Sequence, residues 1–351
     1  MVELIDQGIK TIKQYGLKVF FFRFYNYFIF KIKRYISPKD IHNLEKFQAI
    51  KDKYAGKRIF IIGNGPSLNQ LPLYLLKDEY TMCFNRFSLM EERINWFPTF
   101  YAVTDDLVLK DQAEELNERI IPRVSNAFFP DIHPSNLSVK RIIKQRDNVL
   151  WLYVDKPNFS DNLPQCGINK TVVNAGIQIA AYLGFKEIYL IGVDMTFGDQ
   201  QIKKISSRNW QAVGDDPNHF DPRYFGCGRS YHNPGVTEML QRFEACRDYF
   251  SKRGVRIYNA GYGGKLDIFP RIKFEEALDI SMEQQQRIFW NTIRSIDGTI
   301  QWTDFIEYNK DNTNCSFKID AERGVSLIKK LIMSHIPFGP YKGTYYFLKR
   351  K

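Results

Sequence analysis

Short, wholly apolar runs recur along the middle of the chain, separated by stretches with helical spacing. Runs rich in Ile, Val, Phe and Tyr predict strands at residues 58–63, 80–85, 99–103, 148–154, 187–193 and 255–259. Between them, residues 171–183 are dense in Ala and Ile, and Gly184 marks a helix stop. Residues 237–253 place Met239, Leu240, Phe243, Cys246 and Phe250 on one helical face and end at Gly254. Alternating strands and helices predict an α/β fold: a doubly wound, mostly parallel, Rossmann-like sheet forming one nucleotide-binding domain. In such sheets ligands bind beyond the carboxyl ends of the strands.

Several candidate residues fall at those ends. The first strand stops in Gly63-Asn64-Gly65-Pro66-Ser67. Two glycines allow a sharp turn and close backbone approach, and a helix opening near Ser67 predicts free N–H groups suited to a phosphate. No Gly-Lys-Ser/Thr follows, so this is not a P-loop. Asn85, Thr104-Asp105-Asp106 and Gly192-Val193-Asp194 also lie at or just after strand ends. The acidic residues read either as helix caps or as contacts to ligand hydroxyls or Mg²⁺.

Residues 195–235 lack apolar periodicity and predict a lid over the site. Within it, His219 is the candidate general base, since an imidazole accepts a proton near neutral pH. His232 competes for the role, while His133 is expected to lie far from the strand-end cluster.

Charge divides the chain. Residues 1–57 carry a net charge of +7 and residues 321–351 a net +6, which leaves −2 for the rest of a chain of net +11. A near-neutral body argues against a nucleic-acid groove. Residues 19–30 are mostly aromatic, broken by Arg23 and Asn26, and flanked by lysines. They fall short of the ~20 residues needed to span a bilayer. They predict either a helix lying on an anionic membrane or one packed on the protein's own core, and the basic, aromatic C-terminal tail favours the membrane. The organisation expected is a helical extension at 1–57, a catalytic domain at 58–279 and a helical segment with a basic tail at 280–351. Five scattered cysteines form no metal-binding spacing and fit reduced thiols in a cytosolic protein.

Residues 61–68, Ile-Ile-Gly-Asn-Gly-Pro-Ser-Leu, resemble the opening nucleotide motif of the bacterial sialyltransferases of glycosyltransferase family 42. Cys83-Phe84-Asn85-Arg86-Phe87 is similar to that family's second motif, residues 183–194 to its central helix–strand unit, and Asn218-His219-Phe220 to its lid. The core, with residues 220–226 and 259–270, also resembles the wider MptE-like group, whose archaeal namesake is a 6-hydroxymethylpterin diphosphokinase. Thr196 and Phe197 stand where the sialyltransferases have tyrosines.

The resemblance implies an inverting transferase using a CMP-activated acidic sugar without a metal cofactor, with His219 as base. Gly63, Asn64, Gly65, Pro66, Ser67, Asn85, Gly192 and Asp194 would hold the nucleotide. Thr104, Asp105, Asp106, Thr196, Arg223 and Tyr224 would meet the substrates. The acceptor would be a surface glycan, lipid-linked or not, reached from the cytoplasmic face of the membrane, and a homo-oligomer is left open. The alternatives are a Mg²⁺-dependent diphosphokinase, with Asp105, Asp106 and Asp194 near the metal, and a nucleotide-binding scaffold without turnover.

Overall fold

The computed structural model describes residues 2–36, 40–94, 96–154, 158–168, 170–198, 200–205, 209–232, 235–279, 307–309 and 344–346. Seven parallel strands form its central sheet: β1 (Arg58–Ile62), β2 (Thr81–Phe84), β3 (Phe100–Ala102), β4 (Asn126–Pro130), β5 (Val149–Leu152), β6 (Glu187–Ile191) and, after the lid, β10 (Arg256–Asn259). Their order is β10-β6-β1-β2-β3-β4-β5. The chain winds outward from β1 to β5, then returns to lay β6 against the other side of β1. The expected doubly wound α/β sheet is therefore present, and its order reverses at β1, where such sheets open a ligand crevice.

Burial on both faces explains the continuous apolar runs. One face is covered by helices, and Ile59 and Ile61 of β1 pack there with Ile177 and Ile179 of α5 (Val172–Tyr182) and Phe243 and Phe250 of α6 (Val236–Ser251). Thr171 caps α5 by accepting the Val173 N–H, and Gly184 and Gly254 follow α5 and α6 with φ of 98° and 69°, as the sequence predicts. The opposite face has shorter cover: 3₁₀ turns at Pro66–Gln70 and Leu73–Leu76, with α3 (Asp106–Asp111), α4 (Ala113–Glu115) and α7 (Phe274–Leu278).

Three short antiparallel strands, β7 (Ile202–Lys204), β8 (Asn209–Ala212) and β9 (Ser230–His232), build a separate small sheet inside the expected lid. At the other end of the chain, α1 (Val2–Ile36) breaks at Gly16 and is followed by α2 (Ile41–Ile50). Most of 280–351 lies outside the described residues. The six that are described form β11 (Glu307–Asn309) and β12 (Thr344–Tyr346), an antiparallel pair where the sequence suggested helix.

Candidate functional site

Gly63 and Gly65 lie where β1 and β6 leave the sheet together. Their N–H groups donate to the Ile191 and Gly192 carbonyls, both at 2.8 Å. A Cβ on Gly63 would lie 2.3 Å from the Gly192 oxygen, and one on Gly65 would lie 2.4 Å from Asp194 Oδ2. Gly192 itself has a φ of 63° and packs against Leu68. Beyond Pro66, the Ser67 N–H and hydroxyl both donate to the Asp194 carboxylate, at 2.8 and 2.5 Å.

This corrects the expected helix opening with free N–H groups near Ser67. Pro66–Gln70 is a five-residue 3₁₀ turn, not an α-helix, and a fixed carboxylate already occupies its N-terminal donors. Gly63, Gly65, Ser67, Gly192 and Asp194 hold one another and form a rigid floor.

The open hydrogen-bonding capacity lies one position away. Asn64 donates Nδ2 to the Phe84 carbonyl at 3.3 Å, and Asn85 takes a φ of 52° just after β2. The Oδ1 atoms of Asn64 and Asn85 are buried without a hydrogen-bond partner among the described residues. Two such acceptors at the ends of neighbouring strands indicate groups awaiting donors. Beside them is Arg86, a buried cation not expected from the sequence although it follows Asn85 directly. It pairs with Asp111, which also takes Arg229 at 2.5 Å. Burial, then the charge of Arg229, brings the Arg86 guanidinium down to about 10, so it stays charged at neutral pH.

His219 hangs over this floor. The Phe220 N–H donates to the Asn64 carbonyl at 2.9 Å, which ties the lid segment to the first turn. His219 Nδ1 lies 2.7 Å from Asp216 Oδ2, and the Asp216 carboxylate is fully buried. Asp216 also accepts the N–H groups of Asn218 and Phe225, at 2.8 and 2.9 Å. A carboxylate held this way only accepts, so it assigns the proton to Nδ1 and leaves the Nε2 lone pair open. Asp216, three residues before His219, was also not predicted.

Tyr224 and Arg223, expected to meet the substrates, are both engaged within the lid segment itself. Tyr224 is buried and stacks flat against the His219 ring, with centroids 3.8 Å apart. Burial pushes its phenol well up, and a hydrogen bond donated by the Asn85 side chain to its oxygen draws it only partly back. Arg223 is engaged with Asp221 through Nε and Nη2, both at 2.9 Å. Asp221 also takes buried Arg93 at 2.5 Å, and Arg93 donates to the Phe220 carbonyl at 3.0 Å. These residues fix the segment that carries His219. Thr196 is half-buried just beyond Asp194.

A second cluster forms after β3. Thr104 is buried, and Asp105 caps α3 by accepting the Leu107 and Val108 N–H groups at 2.8 and 3.1 Å, so the capping alternative holds for it. Its other oxygen faces His232 Nε2 at 3.7 Å, while Asp106 Oδ1 lies 3.2 Å from the same nitrogen. Asp105, Asp106 and His232 each offer a ligand atom within 4.8 Å of the others and could hold a divalent cation. Asp194 is engaged with Ser67 instead, so the acidic trio of the diphosphokinase alternative is not one cluster.

His133 also joins, 3.8 Å from Asp106 Oδ1, contrary to the expectation that it lies far away. Burial pushes the Asp106 carboxyl up, but the His232 hydrogen bond and the His133 charge outweigh it and hold it well below its usual range. Burial pushes His133 down despite the Asp106 charge. A cavity of about 240 Å³ lined by Lys51, Asp161, Lys186 and Arg253 lies at the opposite, amino end of the strands and meets none of these residues.

The fold defines a Rossmann-like α/β protein, with these residues gathered at the carboxyl ends of its strands. Residues 36–200 match the family model described as 6-hydroxymethylpterin diphosphokinase MptE-like, in agreement with the resemblance read from the motifs. The match includes the first turn, Asn85, Asp105, Asp106 and Asp194, and ends before His219. No curated protein sequence matches the chain.

Two solved structures are similar at 13% identity. One is the MAf glycosyltransferase from Magnetospirillum magneticum AMB-1, with a TM-score of 0.39 over 75% of this chain and 44% of that one. The other is the sialyltransferase CstII from Campylobacter jejuni in complex with a substrate analogue, cytidine-5'-monophosphate, with a TM-score of 0.38 over 62% of this chain and 85% of that one. The chain thus spans less than half the length of the first of these structures.

Proposed function

We propose that the chain is an inverting glycosyltransferase that passes a CMP-activated acidic sugar to a hydroxyl of a surface glycan, with His219 as the general base. The observation that carries the proposal is the Asp216–His219 pair tied over the β1 turn. Nε2 takes the acceptor O–H proton as that oxygen attacks the anomeric carbon, and buried Asp216 offsets the charge of the imidazolium. The bond from the anomeric carbon to the phosphate oxygen breaks, and CMP leaves as a phosphate monoester. Asn64, Asn85 and Arg86 are the groups suited to the nucleotide and its leaving charge. Stacking on Tyr224 keeps the imidazole plane fixed during the transfer.

His219→Ala should lower turnover by about 10²–10⁴-fold while CMP affinity barely changes. Asp216→Asn should also lower turnover, because an amide donor favours the tautomer with its proton on Nε2. A His219→Ala enzyme that turns over normally, or one that loses CMP binding in step with activity, would remove the base from the mechanism.

The second reading is a Mg²⁺-dependent diphosphokinase, favoured by the family match and by the Asp105, Asp106 and His232 cluster. Those three residues would hold the ion, which would supply charge neutralisation for phosphoryl transfer. Thermal stabilisation by ATP only with Mg²⁺, abolished by His232→Ala, would select it. Stabilisation by CMP without metal would select the transferase.

A further inference from the structure

The C-terminal half of α1 is inverted relative to an ordinary surface helix: its polar groups face the protein and its aromatics face outward. Asn136 Nδ2 donates to the Asn26 backbone carbonyl at 3.1 Å, and Lys33 Nζ donates to the Asn136 carbonyl at 3.1 Å. Arg34 pairs with Asp131 and lies 4.3 Å from the centroid of the Tyr153 ring. Phe30, at 4% exposure, is the large apolar side chain that this stripe buries. Outward point Phe21, Phe22, Phe24, Tyr25 and Phe28, with Phe22 69% exposed, followed by Tyr35 at 90%. A helix in water normally does the reverse, and a contiguous exposed apolar patch marks an interaction surface.

We propose that this aromatic face docks the chain on an anionic lipid bilayer, with the helix lying in the headgroup region. Its flanks carry Lys13, Lys18 and Lys31 in a region of net charge +7, which complements anionic headgroups. The same charge opposes pairing with a second copy, which would bring two such regions together. No helix among the described residues is long and apolar enough to cross a membrane, and Arg23 and Asn26 interrupt the aromatic stretch, so an in-plane position fits.

The docking also sets the orientation of the site. Loop residues 131–136, which receive α1, follow the carboxyl end of β4 and carry His133, 3.8 Å from Asp106. The lipid surface therefore lies on the strand-end side of the sheet, beside the candidate site. Resting on the transferase reading, this favours an acceptor hydroxyl whose own anchor is in the bilayer.

The test is flotation of the full chain with vesicles of phosphatidylcholine, alone or mixed with phosphatidylglycerol. The chain should float with the mixed vesicles and detach as salt rises. A variant carrying Phe21→Ser, Phe22→Ser, Phe24→Ser and Phe28→Ser should lose vesicle partition by roughly tenfold or more and keep its circular-dichroism spectrum. Phe22→Trp fluorescence should shift to the blue on vesicle addition. A chain that never floats, or a serine variant that floats equally well, overturns the proposal. So does a soluble dimer that the serine substitutions dissociate, since that gives the face to a second copy. None of these outcomes bears on His219→Ala turnover, which tests the transferase reading separately.

Discussion

The Asp194 carboxylate takes both the N–H and the hydroxyl of Ser67, and that contact decides what the first turn can bind. An anion placed there would meet the carboxylate and donors already in use, whereas the proposed role gives ligand charge to Asn64, Asn85 and Arg86. The glycine pair was legible in the sequence as a tight turn. Its reason was not, because the partner lies 127 residues away. Gly65→Ala places a Cβ 2.4 Å from Asp194 Oδ2 and 2.9 Å from the Gly192 oxygen. Neither neighbour can withdraw without breaking hydrogen bonds, so the variant should lose about 2–4 kcal/mol in chemical denaturation. Asp194→Asn keeps the shape and one acceptor and should lose less, about 1–2 kcal/mol. A Gly65→Ala protein with an unchanged midpoint would show that the two loops are not packed this tightly.

At the scale of elements, the six strands read from apolar runs were all present, because strands buried on both faces need little beyond Ile, Val, Phe and Tyr in sequence. β4 escaped notice because its apolar centre is only Ala127-Phe128-Phe129, bounded by Asn126 and Pro130. The lid strands escaped because β7 is mostly exposed and its pairing, not its burial, defines it. α5 was legible from its cap, its apolar content and its stop, but not its closeness to β2. Gly176 sits so near that sheet that an added Cβ would lie 2.5 Å from Phe84 Cζ and 3.2 Å from Met82 Sδ. Alanine would gain about 1 kcal/mol of helix propensity, yet overpacking of this kind costs about 1–3 kcal/mol and should win. Gly176→Ala should therefore lower the urea midpoint, and adding Phe84→Leu should recover part of the loss. Strict additivity of the two substitutions would disprove their contact.

Across the whole molecule, the loop at 131–136 joins three parts: α1 through Asp131 and Asn136, α3 through Asp106, and, by way of Asp106, the lid strand carrying His232. The sequence separates these residues widely and set His133 apart from the site, so nothing local announced the junction. Its pH response follows from burial. His133 is held below its ordinary value of 6.5, while Asp105, Asp106, His232 and Lys110 are the charged or titratable groups that act on it. The unfolded chain therefore binds the proton more readily, and stability rises with pH through that window. The contribution is fully present above about pH 6.5, falls as pH drops toward the lower folded value, and levels off below it. Asp106 acts in a separate range, since its depressed carboxyl gives up its contribution only in stronger acid. Urea midpoints measured from about pH 8 down to about pH 5 should fall for the wild-type chain. His133→Asn should remove much of that slope and weaken the acid limb below it without abolishing it, since the His232 hydrogen bond still holds Asp106 down. A His133→Asn protein with the full wild-type slope would assign the pH response to other groups and leave His133 a spectator at the junction.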